Sequence, residues 1–300
     1  MPPIPPSIHV SVMAPEAVAG LAPVPNGIYV DGTLGGATQT RIILDACAPH
    51  GRVFSFDVDP VALARAGQDL AAYGGRWTGI EANFRHLERE LGERGIGAID
   101  GLLLDLGFSS DELVRPDIGL SFQENGALDM RFGPTANDDG LTAAEIVNQW
   151  PVQDIEKLIR NFGEEPFSRR IAEAIGEARR KKRIVTTSQL VDIVHAVLPR
   201  HPKDKVDPAT KTFQALRIVV NDEIESLKIV LKSAERLVRS GGRVSVISFH
   251  SIEDRVVKQW LKESESFADV FDGPRGPSDD EVLKNPRSRS AKLRVAEKRR

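Results

Sequence analysis

Four short apolar runs in the first third of the chain end in side chains suited to ligand chemistry. The first closes on Asp31 and a glycine-bearing loop, Gly32, Gly35 and Gly36. The second closes on Asp57 and Asp59, the third on Asn83-Phe84, and the fourth on Asp105-Leu106-Gly107. A carboxylate about 20–30 residues past a glycine turn, at the end of a second strand, is placed to accept both hydroxyls of a ribose. Asp57 fits that position. Asp59, just before Pro60, fits a helix N-cap instead. The glycine spacing matches neither G-x-G-x-x-G nor a Walker loop, so a pyrophosphate cradle is not indicated. A ribose carboxylate without a phosphate motif suits a nucleoside ligand that carries no phosphate. S-adenosylmethionine is the common cofactor of that kind, with NAD the rival. Asp105 would then lie at the reactive end. There it would contact an amino group of the ligand or accept a hydrogen bond from an attacking amine. A tight turn at the glycines and a structural aspartate at 105 are the plainer alternatives.

These positions need strands to hold them. The runs 27–32, 52–59, 77–84, 99–107 and 243–249 are short, apolar and rich in β-branched residues, as in strands buried on both faces. Helical patterns at 36–48, 60–73 and 84–94 separate the first four, which implies βαβ units and a parallel, doubly wound sheet. From 111 to 207 the pattern becomes wholly helical. Thr142 and Glu145 have capping-box spacing, and Ile155, Leu158 and Ile159 recur at helical spacing. The expected organisation is a core over 1–110, a helical insert over 111–207, a second part of the core over 208–272, and a basic tail over 273–300. A long helical region, broken near Asn221 and capped by Gly241-Gly242, leads into the fifth strand.

The 300 residues carry a net charge of −3 and one cysteine, Cys47, which excludes an intramolecular disulfide and a multi-cysteine zinc site. No cluster of His, Cys and Asp at metal-ligand spacing stands out. The Pro-rich start lacks the basic region of a signal peptide, and the chain reads as cytoplasmic. Charge is unevenly spread. Residues 284–300 hold eight Lys or Arg against one Glu, and "RRKKR" spans 179–183, so a polyanionic partner is plausible on charge alone.

Taken together, "YVDGTLGG" (29–36), "FDVDP" (56–60), "DGLLLDLGFSS" (100–110), "PATKTFQALRIVVNDE" (208–223) and "GGRVSVISFHSIEDRVVK" (241–258) resemble the ribosomal RNA small-subunit methyltransferase H (MraW) family, in order and nearly end to end. The resemblance implies a class I methyltransferase core, Rossmann-like, with an inserted all-helical domain. It implies methyl transfer from S-adenosylmethionine to N4 of a cytosine in the decoding region of small-subunit ribosomal RNA. It also implies cofactor contacts from Gly35, Gly36, Ala37, Thr38, Gln39, Asp57, Phe84 and Asp105, with Phe84 near the adenine; Asp105 is expected from its strand-end position to be the catalytic residue that orients the amine. The family's usual Gly-His is Thr38-Gln39 here, its Gln is Glu112, and its His is Asp207. A non-catalytic RNA-binding assembly factor on the same fold is the alternative reading.

On the RNA side, Gln214, Arg217 and Asn221 form a polar stripe on a helix whose Phe213, Leu216 and Val220 face a core. Arg217 would pair with phosphate and Asn221 would read a base edge. His250, ending the fifth strand, is either a group near the substrate or a hydrogen-bonded structural histidine. Arg169, Arg170, Arg179, Arg180, Lys181, Lys182 and Arg183 would add backbone contacts from the insert. The target base would have to be flipped out or already unpaired to reach a buried methyl group.

Overall fold

A computed structural model describes residues 7–123, 125–203 and 206–299. The Pro-rich start up to Pro6 and the last basic residue, Arg300, on which two of the readings above fall, lie outside the described residues. The chain divides into two compact units, 1–109 with 224–300, and 110–223.

The first unit is built on a seven-stranded sheet. Its strands are β1 (Ile28–Asp31), β2 (Arg52–Asp57), β3 (Trp77–Glu81), β4 (Ile99–Asp105), β5 (Val238–Ser248), β6 (Phe267–Asp269) and β7 (Lys292–Lys298), in the order β3-β2-β1-β4-β5-β7-β6. β1 to β5 run parallel, while β7 is antiparallel to β5 and β6. Side chains alternate between the two faces, as a pleated strand requires. Val30, Phe54, Phe56, Leu102, Leu104, Val244 and Val246 pack on one side with Leu227, Val230 and Leu231 of the helix Glu223–Leu237. Tyr29, Val53, Leu103 and Ile247 pack on the other with Ile43, Leu44 and Val18. Two buried faces explain why these strands read as continuous apolar runs. Cys47 lies within the second cluster as a buried free thiol.

Strand order reverses between β1 and β4, so the crevice for a ligand opens past Asp31 and Asp105. Asp59 caps the helix Pro60–Asp69 by accepting from the Val61 N–H at 3.0 Å, as its sequence context implied.

Two expectations for this unit need correction. The basic tail over 273–300 is not a separate appendage to the core but contributes a strand to it. Its residues 292–298 form β7, with Leu293, Val295 and Ala296 buried. Arg294, 7% exposed, is held by Asp254 at 2.7 Å, and Lys298 donates to the carbonyls of Glu235 and Val238 at 2.6 and 2.8 Å. These two cations are engaged within the sheet unit. Gly241-Gly242 is not a helix cap either: the helix ends at Leu237, and both glycines lie in the first part of β5.

The second unit is helical, with helices Ser110–Leu113, Ala143–Gln149, Val152–Gly163, Ser168–Lys181, Thr187–Val197 and Thr210–Val220. The capping box of Thr142 and Glu145 is present. Ile155, Leu158 and Ile159 are buried as their spacing required. This unit extends past 207, because the helix Thr210–Val220 packs on Val152–Gly163 and Ala143–Gln149. Residues 208–223 therefore belong with the insert and not with the second part of the core. Among the described residues no helix is long and apolar enough to cross a membrane.

A crevice of buried carboxylates at the switch point

Three carboxylates gather at the carboxyl ends of β1, β2 and β4. Asp31 is fully buried. Its Oδ1 accepts from the Thr33 N–H at 3.2 Å and its Oδ2 from the Thr40 hydroxyl at 2.7 Å. Thr40 Oγ1 lies 2.8 Å from Ser55 Oγ, which also accepts from Trp77 Nε1 at 3.1 Å. Asp57 Oδ2 accepts from the Gly35 N–H at 3.0 Å and its Oδ1 from the Asp59 N–H at 2.9 Å. The glycine loop is thus tied directly to the second strand. Gly35 supports this with φ +49°, a conformation that favours glycine. At Gly32 a Cβ would come within 2.5 Å of Leu104, so the loop passes close over β4.

Asp105 is anchored at two points. Its N–H donates to Thr33 Oγ1 at 2.7 Å, and its Oδ2 accepts from Gln39 Nε2 at 2.7 Å. Its Oδ1 is buried with no hydrogen-bond partner. Asp57 and Asp105 both keep some accessible surface as residues, which Asp31 does not. Burial pushes the Asp31 carboxyl up to about 6, against the opposing bonds from Thr40 and Thr33. Burial, with the Asp59 and Asp31 charges, pushes Asp57 up to about 7, although the Asp59 and Gly35 N–H groups oppose it. Asp105 rises to about 8, first through burial and then through the charges of Asp31, Glu253 and Glu281, while the Gln39 bond works the other way. A group of acids strained in this manner favours a ligand that brings positive charge and hydrogen-bond donors.

The other loop residues are placed close by. Thr38 opens the helix Thr38–Ala46, and Ala37 is its N-cap at φ +59° with its methyl in the apolar core. A Cβ on Gly36 would meet Ser7 Oγ at 3.2 Å and His9 at 3.4 Å, so the segment before the first helix lies against the loop. Phe84 starts a short turn after β3, partly buried against the core, and approaches Gly32. Thr33, Thr40, Ser55 and His9 were not singled out from the sequence. A Thr two residues past Asp31 is a weak signal for a tie to β4, and the other three carry none.

The residues assigned to RNA are divided between the two units. Gln214, Arg217 and Asn221 lie in the helical unit, and their polar atoms are engaged there. Gln214 Nε2 donates to the Phe162 carbonyl at 3.0 Å. Arg217 forms a two-pronged pair with Glu223 at 2.8 and 2.9 Å. Asn221, 2% exposed, accepts from the Phe132 N–H and donates to the carbonyls of Met130 and Arg217. These bonds tie the helix to its neighbouring loops, and a phosphate contact from Arg217 or a base contact from Asn221 would have to displace them. Glu112 lies in the short helix Ser110–Leu113 of the same unit. Asp207 accepts from the Ala209 N–H at 2.9 Å and pairs with His195 at 2.8 Å, which gives it a local role. His250, in the sheet unit, is the N-cap of the helix Ser251–Glu263, where its Nδ1 accepts from the Glu253 N–H at 3.4 Å. Glu253 returns the bond by accepting from the His250 N–H at 3.3 Å.

Residues 6–299 match the MraW methylase family. Among similar proteins, the ribosomal RNA small subunit methyltransferase H of Geotalea daltonii is 46% identical, with 97% of this chain and 98% of that protein covered. The protein of the same name from Deinococcus deserti is 45% identical, over 97% of this chain and 93% of its own length. That of Paramagnetospirillum magneticum is 42% identical, over 97% and 96%.

Proposed function

This chain belongs to the MraW methylase family, and on that premise we propose that it transfers a methyl group from S-adenosylmethionine to the exocyclic N4 amine of a cytosine in small-subunit ribosomal RNA. The observation that carries the cofactor assignment is the unpartnered, buried Oδ1 of Asp105 beside two further buried acids. Such an acceptor is costly when unmet, by about 1–3 kcal/mol or more for a charged group. A ligand with an ammonium group, a sulfonium centre and ribose hydroxyls supplies the missing donors and the missing charge.

When bound, the cofactor supplies an electrophilic methyl group. The protein's own residues do the rest. The Gly35 and Asp59 N–H groups hold the Asp57 carboxylate, leaving its outer lone pairs for the ribose hydroxyls. The loop from Gly35 to Gln39 covers the amino-acid end, and Phe84 lines the approach to the adenine. Asp105, tied to that loop through Thr33 and Gln39, binds the cofactor. An exocyclic base amine is a weak nucleophile, so alignment with the methyl in a water-poor crevice is the larger part of catalysis. The exposed cations Arg180, Lys181, Lys182 and Arg183 of the helical unit suit RNA backbone. The reaction takes place in the cytoplasm, on RNA within the small ribosomal subunit.

Transfer of labelled methyl from S-adenosylmethionine to isolated small subunits tests this, with the modified nucleoside identified by mass spectrometry. N4-methylcytidine is the expected product. A protein that binds the subunit but neither takes up the cofactor nor labels the RNA would be an assembly factor instead.

A further inference from the structure

Gln39 is one of the most enclosed polar side chains in the sheet unit, 2% exposed at the second position of the helix Thr38–Ala46. Its amide nitrogen is spent on a single acceptor, Asp105 Oδ2, at 2.7 Å. A carboxylate fixed only through its main chain can still rotate about its last torsion. With the Asp105 N–H on Thr33 Oγ1 and Oδ2 on Gln39, that rotation stops, and Oδ1 remains as the acceptor not yet used.

The chemical nature of the clamp matters as much as its position. A lysine, an arginine or a protonated histidine here would neutralise Asp105 and repel a cationic ligand. A primary amide donates while adding no charge. The other charges acting on Asp105 are all acidic: Asp31 from β1, Glu253 from the helix Ser251–Glu263, and Glu281 from the helix Asp279–Lys284. The field at Oδ1 therefore selects a cation over a neutral amine. We propose that Gln39 is a positioning residue that holds Oδ2 of Asp105 so that Oδ1 accepts a hydrogen bond from the ammonium group of the bound cofactor. This rests on the methyltransferase reading. It assigns Asp105 to the amino-acid end of the cofactor, and not to the attacking amine.

The test compares the wild-type protein with Gln39→Met, which keeps length and flexibility but cannot donate. Two ligands are titrated calorimetrically from pH 6.5 to 9: S-adenosylhomocysteine, which has the ammonium group, and 5′-methylthioadenosine, which lacks the amino-acid portion. Gln39→Met is expected to weaken S-adenosylhomocysteine about tenfold at pH 7, the scale of one hydrogen bond to a charged group. It should leave methylthioadenosine unchanged. The loss should shrink as pH rises and Asp105 ionises without help. The ratio of the two proteins' Kd values cancels the titration of the ligand itself. Equal losses for both ligands, or a loss that does not vary with pH, would reduce Gln39 to a packing residue and overturn the proposal. Wild-type protein that binds neither ligand would instead bring down the methyltransferase reading, and this proposal with it. Should Gln39→Met not fold, Gln39→Leu removes the amide donor without adding a charge, and the same selective loss is required of it. A pH titration of thermal stability without ligand gives an independent readout: the Gln39→Met transition should keep falling to a higher pH than the wild type.

Discussion

Replacing Asp105 by asparagine separates the charge of this residue from its shape, and the outcome can be worked out before any ligand is added. In the folded protein the Asp105 carboxyl is pushed up to about 8, against a reference value of 3.8. Between pH 5 and 7 it therefore carries a proton when folded and loses that proton on unfolding. A group whose folded value is raised stabilises fully below its unfolded value, and that contribution drains away as pH climbs towards the folded value. The slope is about 1.4 kcal/mol per pH unit for one proton. Over these two units Asp105 alone should remove about 2.7 kcal/mol of stability, taking the same slope. Asp57 and Asp31, raised to about 7 and about 6, add slopes of the same sign that level off earlier. They remain in the variant and largely cancel in the comparison. The side-chain amide introduced by Asp105→Asn resembles the protonated acid and can still accept from Gln39 through its carbonyl oxygen. Urea unfolding of both proteins at pH 5, 6 and 7 should show the variant gaining on the wild type by about 2.7 kcal/mol across the range. Parallel curves would mean that Asp105 is already ionised at pH 5. The account of the crevice as a set of strained acids would then fail.

Asp105→Ala should abolish methyl transfer to small subunits while the far-ultraviolet circular dichroism stays unchanged; undiminished turnover would remove Asp105 from the mechanism. Thr40→Val keeps volume but takes away the 2.7 Å bond to Asp31 and the 2.8 Å contact with Ser55. A stability loss of about 1–3 kcal/mol at pH 7 is expected in calorimetry, and none would mean that a buried water can stand in. Arg294→Ala leaves Asp254 without its closest partner on β7. It should cost about 3 kcal/mol, and Arg294→Lys should recover part of it; a neutral result would show that Lys292 alone holds the carboxylate.

The strands β1, β2 and β4 and the second half of β5 were legible because burial on both faces writes itself as an unbroken apolar run, whereas β3, at the sheet edge with only Ile80 buried, was legible from the alternation of strands and helices around it. β7 was not. "KLRVAEK" mixes cations with apolar residues, and the acids that hold Arg294 in the sheet, Asp254 and Asp269, lie 40 and 25 residues earlier. Its composition resembled a solvated basic tail for that reason. The helix Thr210–Val220 shows the same limit. Its polar stripe was visible, but its partners were not: a carbonyl at Phe162, a loop N–H at Phe132 and the acid of Glu223. Periodicity shows that a face is polar and is silent on whether that face is already satisfied. Within the crevice, the acids were legible from strand ends and glycines. The Gln39 clamp spans 66 residues to its partner and has no local signature.

The pairing of β4 with β5 has a consequence for biosynthesis. β4 ends at Asp105 and its neighbour begins at Val238, so the whole helical unit is translated between them. At roughly 5–20 residues per second, the ribosome needs on the order of ten seconds for that stretch. During this interval β1 to β3 can already shield one side of β4, while its other edge, with Leu102, Leu103 and Leu104, has no strand to meet. An apolar unpaired edge of this kind is an invitation to aggregation. The nascent chain is therefore most open to edge-to-edge association during the seconds in which its helical unit is being made.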